Sequence, residues 1–273
     1  MKKYVMDLRV AEVRRLHERY VLLRLTREEP LPEMRPGQFV EVRVDGVPDV
    51  FLRRPISVNF VDRERNELWL LVAVVGEGTR RMAALQAGDV LNVVGPLGRG
   101  FSGPIGRTAW RTEGDDVSGG TAWHSVLLVG GGVGVAPLLY QGAVLKEAGL
   151  EPVFLLGARS AKDLLMLDEF RKYGEVFVTT EDGSEGERGF VTQHTVLQQR
   201  RFDLIQTCGP TPMMKAVARF AWQQGIECEA SLENMMACGL GACLCCVEKT
   251  TEGNLCVCKD GPVFNIKKLL WQI

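Results

Sequence analysis

The sequence predicts a multi-domain chain with a closed antiparallel β-barrel, an α/β domain on a parallel sheet, and a small cysteine-rich C-terminal module. Three observations lead to this fold class. Short strands rich in Val, Ile and Leu follow one another through the first hundred residues. Strands then alternate with helices from about residue 125. Six of the eight cysteines fall between residues 238 and 258. The length of 273 residues suits about two domains and an appendage.

Composition excludes several classes of function. Hydrophobic residues make up 46% and charged residues 25%, which is typical of globular proteins. Lys and Arg number 33 against 34 Asp and Glu, so there is no broadly basic surface for nucleic acid. No run approaches the ~20 apolar residues of a membrane span, and the N-terminus lacks the apolar core of a signal peptide. We expect a cytoplasmic protein with reduced cysteines, without nucleic-acid or membrane partners.

The first region, residues 1–106, is predicted to be the barrel. Its apolar segments are short and separated by Gly, Pro, Asp or Asn, and several are continuous rather than alternating. Continuous runs are buried on both faces, which favours a closed barrel over a one-faced sheet. One short helix is expected around Thr79–Gln86. The strand-like segments are VLLRLT, QFVEVRV, ISVNFV, LWLLVAVV and VLNVVG.

The second region, residues 107–228, is predicted to be the α/β domain. It opens with a segment at 107–124 that is rich in Gly, Thr, Asp and Ser and has no apolar period, as expected for a linker loop. The alternation of strands and helices that follows implies right-handed crossovers and a parallel sheet. The last region, 229–273, has too little apolar material for a core of its own.

A glycine-rich loop follows the first strand of the α/β domain. The residues Gly130, Gly131, Gly132, Val133 and Gly134 stand between the strand SVLLVG and a helix. Glycines let the main chain approach a diphosphate, and a helix start offers free N–H groups to the anion. Tight strand-to-helix turns use glycine anyway, so the strand-loop-helix context is the stronger signal.

A second loop follows a later strand and contains Cys208 and Gly209. Ligands of open parallel sheets lie beyond the carboxyl ends of the strands, so both loops are expected at one crevice. A buried, inert thiol is the alternative for Cys208. Arg159, Glu181 and Asp182 also follow strands, and each is either a nucleotide contact or a surface charge.

The barrel region carries an arginine and a hydroxyl in an apolar, strand-like context at Arg54 and Ser57. A guanidinium fork suits phosphate oxygens. Residues three apart lie on opposite sides of an ideal strand, so a bend at Pro55 would be needed to bring both to one point of a ligand. Barrel turns and edge charges remain the alternative interpretation.

The C-terminal cysteines form the most specific pattern. The spacing Cys238-x4-Cys243-x2-Cys246, followed by Cys258, matches the plant-type spacing of a [2Fe–2S] cluster. Cys245 and Cys256 are additional. The alternative is a zinc site of four thiolates, with Cys243 and Cys246 as one pair and Cys256 and Cys258 as the other.

Together these segments resemble the electron-transfer subunits of class 1B dihydroorotate dehydrogenases, within the ferredoxin–NADP reductase superfamily. The resemblance covers nearly the whole chain. One departure is the 107–124 loop, which is longer than the usual connection of the family. The segments that carry the resemblance are RRPIS (53–57), GEGT (76–79), GPLGRGF (95–101), LLVGGGVGVAPLL (127–139), TCGPTPMM (207–214), SLENMMACGLGACLCCVE (231–248) and VCKDGPVF (257–264).

The resemblance implies an FAD-binding barrel, a Rossmann-like NAD-binding domain and a [2Fe–2S] module. It places Arg54 on the FAD diphosphate and the catalytic Ser57 near the flavin N5. Cys208 would be the second catalytic residue, near the nicotinamide. The implied FAD contacts are Arg54, Pro55, Ile56, Ser57, Leu71, Val72, Ala73, Gly78 and Thr79. The implied NAD contacts are Gly130, Gly131, Gly132, Val133, Gly134, Cys208 and Gly209. The implied cluster ligands are Cys238, Cys243, Cys246 and Cys258, the last because it stands directly before KDGPVF.

The resemblance also implies the function. Nicotinamide exchanges two electrons as hydride and a cluster passes one, so a flavin must stand between them. Electrons would pass from dihydroorotate through the FMN of a separate catalytic subunit to the cluster, FAD and NAD⁺, in a heterotetramer with two copies of each subunit. The apolar tail residues Leu240, Leu244, Val263, Phe264 and Trp271 would form the docking surface or pack internally.

Two alternatives remain open at this stage. A related flavin reductase subunit could serve ferredoxin, a hydrogenase or a sulfur reductase with the same cofactor motifs. A zinc-stabilised nucleotide-binding protein without redox activity would use the same glycine loop and cysteines.

Overall fold

The computed structural model describes residues 2–103 and 123–272. The chain divides into two compact units, the first comprising Met1–Gly100 with Leu232–Leu270 and the second Phe101–Ser231 with Trp271–Ile273. Most of the predicted linker, residues 107–122, lies outside the described part of the chain. No helix in the described ranges is long and apolar enough to cross a membrane.

Six antiparallel strands close into a barrel in the first unit, with the neighbour order β1-β2-β5-β4-β3-β6 and β6 paired back to β1. The closed barrel confirms the predicted fold class of this region. Its interior is apolar, and β3 is buried at all four positions. The elements are β1 (Tyr4–His17), β2 (Tyr20–Thr26), β3 (Phe39–Val42), β4 (Arg54–Asp62), β5 (Glu67–Ala73), α1 (Glu77–Ala83) and β6 (Val90–Leu97).

The strand β1 was not among the predicted strands, although its residues alternate between apolar and charged types. Met6, Leu8 and Val10 are buried, while the residues between them are exposed. This is the two-residue period of a strand with one face on a core.

The second unit holds a parallel sheet in which six strands follow the order β10-β9-β8-β7-β11-β12. The parallel α/β architecture confirms the prediction. Two 3₁₀ helices, at Gly132–Val135 and Ala161–Asp163, precede α2 and α3, and a third lies at Val191–Gln193. The elements are β7 (Val126–Gly131), α2 (Ala136–Glu147), β8 (Val153–Ala158), α3 (Leu167–Arg171), β9 (Glu175–Thr180), β10 (Glu187–Arg188), α4 (Val196–Gln199), β11 (Leu204–Cys208), α5 (Thr211–Gln224) and β12 (Glu227–Ser231).

The C-terminal residues 232–270 belong to the first unit and cover the outside of its barrel. The position of a Cβ on Gly98, just after β6, lies 2.6 Å from Cδ of Pro262. Arg99 donates its main-chain N–H to the carbonyl of Gly261. The elements of this segment are β13 (Val247–Thr250), β14 (Gly253–Cys256), α6 (Val257–Asp260) and β15 (Val263–Asn265), with a 3₁₀ turn at Ile266–Lys268.

The two units divide the chain differently from the three predicted regions. The predicted boundary at 228/229 falls inside β12, and the compact units separate after Ser231. The cause is physical: a tail without enough apolar material for its own core buries its side chains with the barrel. Three separate domains with boundaries at 106 and 228 therefore stay a prediction.

Candidate functional site

An opening between β4 and β5 brings together the residues predicted to hold FAD. The pairing of these two strands ends with Val58 opposite Leu70, although β5 continues to Ala73 and β4 extends back to Arg54. On its other edge, β5 remains paired with β2 as far as Ala73. Within the described residues, the main chain beyond Leu70 thus has no β4 partner on this side, which leaves it for a ligand.

The side chains along this opening differ in what they can contact. Leu71 is 2% exposed and Val72 is not exposed, so these two residues can meet a cofactor only through their main chain. Ser57 lies opposite Phe39 in a β3–β4 ladder that runs without a register shift from Arg54 to Ser57. The bend considered at Pro55 is therefore absent from this pairing, and Arg54 and Ser57 are suited to different parts of a long ligand.

Arg54 reaches the start of α1. Its Nε lies 3.0 Å from the position that a Cβ on Gly78 would occupy, so glycine there makes room for the guanidinium. Arg54 also donates from Nη1 to the carbonyl of Leu52 at 2.8 Å. The Thr79 hydroxyl accepts from the main-chain N–H of Val75 and Gly76, which fixes the turn that leads into the helix. These contacts bring Arg54, Gly78 and the turn fixed by Thr79 together at the start of α1.

Arg53 makes different contacts from its neighbour Arg54. Its guanidinium donates to the Asn92 carbonyl at 3.1 Å, to the Asn92 side chain at 2.5 Å, and to the Glu41 carbonyl at 3.3 Å. Asn92 in turn donates to Asp7 at 2.6 Å. Arg53 thereby ties barrel strands β3 and β6 together, whereas the side chain of Arg54 lies beside Gly78 at the start of α1.

The two glycine-containing loops of the second unit meet at the carboxyl ends of β7 and β11. A Cβ on Gly134 would lie 2.4 Å from Cα of Gly209 and 2.7 Å from the carbonyl carbon of Cys208. In the parallel ladder, Cys208 lies opposite Gly130. The two loops can cross this closely because Gly134 has no side chain. The crossing brings the predicted NAD-binding residues to one crevice. The helix α2 starts at Ala136, directly after the 3₁₀ turn at Gly132–Val135.

For two candidate residues of the second unit, the structure shows surroundings that the sequence did not reveal. Cys208 is 1% exposed, so its thiol lies inside the unit in this conformation. The Asp182 carboxylate accepts hydrogen bonds from the Ser184 hydroxyl and main-chain N–H, which lower the pKa of Asp182. Asp182 therefore holds a turn, consistent with the alternative of a surface turn residue.

The cysteine segment directs main-chain N–H groups at its sulfurs. The N–H of Leu240 donates to Cys238 Sγ at 3.3 Å, and the N–H of Gly241 donates to Cys258 Sγ at 3.1 Å. The Cys258 N–H donates to Cys246 Sγ at 3.3 Å. Partial burial opposes ionisation of Cys238, but the N–H groups of Leu240, Cys243 and Ala242 lower its pKa to about 6. Main-chain donors to thiolate sulfurs are what an iron–sulfur cluster requires of its surroundings.

The loop around these cysteines needs left-handed main-chain conformations. Gly239 has φ +67° and Gly241 has φ +81°. Leu244 also has a positive φ, of 59°. These turns wrap the segment from Cys238 to Cys246, and glycine adopts such positive φ angles without the steric cost of a Cβ.

A buried carboxyl lies beneath the same loop, and sequence reasoning missed it. Glu41 is 1% exposed, and neither of its carboxylate oxygens has a hydrogen-bond partner among the described residues. Burial, partly offset by the charge of Arg53, raises the pKa of Glu41 to about 7. The only sequence signal was its place among the apolar residues of FVEV, within the predicted strand QFVEVRV.

The donor set is suited to an iron–sulfur cluster. A [2Fe–2S] cluster takes two thiolates at each of two irons, and the segment directs main-chain N–H groups at Cys238, Cys246 and Cys258. Of the implied ligands, Cys246 and Cys258 are buried, Cys238 is half-buried and Cys243 is exposed.

The apolar tail residues fall into two groups. Leu240 and Leu244 are 45% and 64% exposed, whereas Val263 and Phe264 are buried. Val263 and Phe264 therefore pack internally, which was one of the two alternatives for the tail residues, while Leu240 and Leu244 remain exposed. Trp271 lies in the second unit, near the ammonium of Lys215.

Two family models match the chain. The iron-sulfur cluster binding domain of dihydroorotate dehydrogenase B matches residues 233–270, and the oxidoreductase NAD-binding domain matches residues 128–219. The first covers all four implied cluster ligands, and the second covers both loops of the crevice.

Similar proteins cover most of the chain. The dihydroorotate dehydrogenase B (NAD(+)) electron transfer subunit of Fusobacterium nucleatum is 40% identical over 235 residues, 84% of each chain. Its counterpart from Shouchella clausii is 41% identical over 240 residues, 86% of each chain.

Solved structures agree with this fold. An NADH-dependent reduced ferredoxin-NADP oxidoreductase, studied for flavin-based electron bifurcation, superposes with a TM-score of 0.83 at 31% identity, covering 97% of this chain and 90% of that one. The cytochrome b5 reductase domain of Ulva prolifera nitrate reductase has a TM-score of 0.63 at 20% identity, covers 82% of this chain and 94% of that chain, and shows the shared fold alone.

The fold, the cysteine segment and these similarities define an electron-transferring oxidoreductase whose cofactors are FAD, a [2Fe–2S] cluster and NAD. Within that class, the chain belongs to the family of dihydroorotate dehydrogenase B electron transfer subunits.

Proposed function

We propose that this chain is the electron-transfer subunit of an NAD-dependent dihydroorotate dehydrogenase of pyrimidine biosynthesis, working in the cytoplasm. The observation that carries the proposal is the cysteine segment: it matches the iron-sulfur domain of that enzyme and directs three main-chain N–H groups at the sulfurs of implied ligands. When bound, the flavin supplies both one- and two-electron chemistry and the cluster supplies one-electron transfer.

The residues of the barrel would hold FAD along the β4–β5 opening. Arg54, beside Gly78, would bind the diphosphate, and Pro55 to Ser57 would continue along β4 with the Ser57 hydroxyl near the flavin ring. The side chains of Leu71 and Val72 are buried, so their main chain and that of Ala73 would contact the flavin. The capped turn at Thr79 would fix the end of the site.

The residues of the second unit would receive NAD where its two loops cross. Gly130 to Gly134 would let the dinucleotide approach the main chain, and Gly209 would keep the crevice open beside Gly134. Cys208 would lie near the nicotinamide, although its thiol is buried here. A side-chain rearrangement would be needed for direct contact.

A separate FMN-containing catalytic subunit would oxidise dihydroorotate, in an assembly with two copies of each chain. The exposed apolar side chains around the cysteine loop, Met235, Leu240 and Leu244, support a protein partner there.

Reconstitution tests this proposal. The chain is purified anaerobically and assayed for iron, sulfide and FAD, then mixed with an FMN-containing dihydroorotate dehydrogenase subunit. Dihydroorotate-dependent reduction of NAD⁺ is expected in the mixture and in neither component alone. A protein that contains zinc and no inorganic sulfide would contradict the proposal.

A second function has one observation in its favour. The structural similarity to a ferredoxin-NADP oxidoreductase at 31% identity over 97% of the chain supports a reductase subunit that serves ferredoxin or a similar carrier. Rapid NADH-dependent reduction of ferredoxin, with no response to the dihydroorotate dehydrogenase subunit, would favour that alternative.

A further inference from the structure

An exposed aromatic side chain stands three residues before Arg54. Phe51 is 88% exposed, the largest fraction among the exposed large apolar side chains of the described residues. Two more exposed apolar side chains, Leu52 and Val75, belong to the segments that lead to Arg54 and to Gly78. A single exposed apolar residue needs no explanation, but a group of them marks a surface that binds something. An apolar surface therefore borders the position predicted for the FAD diphosphate.

The segment that carries Phe51 curls around the guanidinium of Arg54. Nη1 of Arg54 donates to the carbonyl of Leu52 at 2.8 Å. Nε of Arg54 and Cγ1 of Val50 lie 3.0 Å and 3.4 Å from the position that a Cβ on Gly78 would occupy. Phe51 is thus part of a short arch, residues 50–54, whose two ends both meet Gly78.

The opposite direction along the chain leads to the flavin end of the site. Strand β4 runs from Arg54 to Ser57 against β3 without a register shift, and three strand residues span about 10 Å. In FAD, the diphosphate lies between the flavin and the adenosine. With the diphosphate on Arg54 and the flavin near Ser57, the adenosine extends to the other side of Arg54, where the chain arrives from Phe51.

We propose that Phe51 stacks on the adenine of FAD and thereby makes the barrel select FAD over FMN. The inference rests on the proposed function, because it takes Arg54 and Ser57 as the diphosphate and flavin contacts. Aromatic side chains stack on the π-face of any base, and removing such a ring weakens binding about 5- to 150-fold. FMN has the same flavin and one phosphate but no adenine, so Phe51 contributes only to the binding of FAD.

This selection matters in an assembly that uses both flavins. The proposed catalytic subunit holds FMN, so both cofactors are present where the two chains are loaded. Arg54 alone does not distinguish the two flavins, because each offers phosphate oxygens to a guanidinium. Phe51 adds a contact that only FAD can make, and specificity is such a difference between two affinities.

The test measures the Kd values of FAD and of FMN by flavin titration of the full-length chain, purified anaerobically and stripped of flavin. Phe51→Ala is expected to raise the Kd of FAD by about fivefold or more and to leave the Kd of FMN unchanged. Phe51→Trp, which keeps an aromatic face, should bind FAD as the wild type does. Phe51→Leu, which keeps apolar bulk without a ring, should bind FAD more weakly than the wild type.

Two further variants complete the design. Phe190→Ala removes an exposed phenylalanine of the second unit and should leave both Kd values unchanged. Arg54→Ala should raise the Kd values of both flavins, because each has a phosphate.

The ratio of the two Kd values decides the outcome. A rise for FAD alone in Phe51→Ala supports stacking on the adenine. Equal rises for FAD and FMN would overturn the proposal, because Phe51 would then only hold the arch around Arg54. Unchanged Kd values would also overturn it and would leave Phe51 as a contact for another protein. An Arg54→Ala variant that binds both flavins as the wild type does would instead overturn the proposed placement of FAD.

Discussion

Gly239 and Glu41 approach so closely that no other residue fits at position 239. A Cβ on Gly239 would lie 2.7 Å from Cγ and 3.0 Å from Oε1 of Glu41. Gly239 has φ +67° and belongs to the cysteine loop, while Glu41 belongs to barrel strand β3. The cysteine loop and the barrel therefore fit together through a glycine and a buried carboxyl.

The first prediction concerns Gly239→Ala. The left-handed main chain alone would cost about 1–2 kcal/mol, and the overlap with Glu41 adds to it. We expect the loop to shift away from the barrel and iron content to fall by at least half. Gly253→Ala is a suitable control, because Gly253 also has a positive φ but no neighbour within 4 Å. Similar iron loss in both variants would show that φ rather than the Glu41 contact matters.

The second prediction concerns the pH dependence of stability. The pKa of Glu41 is raised to about 7 from 4.5, so between these values the folded metal-free chain holds a proton that the unfolded chain has released. Stability therefore falls as pH rises through this window and levels off above it. Glu41→Gln should remove up to about 3 kcal/mol of that fall. Urea unfolding of the metal-free wild type and the Glu41→Gln variant at pH 5 and pH 8 measures this fall in stability. Equal losses of stability in the two proteins would contradict the raised pKa of Glu41.

The third prediction separates Arg54 from Arg53. A guanidinium on a diphosphate contributes about 1.5–3 kcal/mol, so Arg54→Ala should weaken FAD binding about 10- to 100-fold. Arg53→Ala should keep FAD but lower the melting temperature, because Arg53 links β3 and β6 through Asn92. Flavin titration and thermal unfolding measure the two effects. The reverse order would mean that the wrong arginine has been assigned to the opening.

The fourth prediction concerns the fourth cluster ligand. Cys258→Ser should abolish the cluster, because Cys258 accepts the Gly241 N–H and lies beside Cys246. Cys256→Ser should retain iron and sulfide near the wild-type level. Metal and sulfide analysis of anaerobically purified protein distinguishes them, and equal iron loss would refute the choice of Cys258.

The fifth prediction concerns the crossing of the two loops in the second unit. In Gly134→Ala, the new Cβ would meet Cα of Gly209 at 2.4 Å, so the loops must separate. We expect the KM for NADH in a dye-reduction assay to rise at least tenfold while FAD content is unchanged. Gly225→Ala, at a surface helix end with nothing within 4 Å, should leave KM unaffected. An unchanged KM in Gly134→Ala would place NAD elsewhere.

Much of the architecture was predictable from local patterns. The short apolar runs of the barrel can be recognised within a few residues of sequence. The same holds for the alternation of strands and helices in the α/β domain. The cysteine spacing is specific by itself. The strand β1 was missed because its alternation of charged and apolar residues was used only to exclude a signal peptide.

Other features of the site depend on contacts between distant residues. Nothing local shows that Arg53 is tied to Asn92, or that Glu41 is buried beneath a loop almost two hundred residues later in the chain. The roles of Gly78 and Gly134 become visible only when the residues facing them are known. Sequence spacing therefore identified the candidate ligands. Three-dimensional packing is needed to distinguish the roles of adjacent residues such as Arg53 and Arg54.

The first unit is discontinuous in sequence, since it comprises Met1–Gly100 and Leu232–Leu270. During synthesis on the ribosome, the barrel strands emerge well before the segment that covers their outer side. Glu41 and Leu97 then stay without their contacts to Gly239 until residues 232–270 have been made. A chain that ends before Cys258 lacks at least one implied cluster ligand, so the complete ligand set exists only after this covering segment has been synthesised.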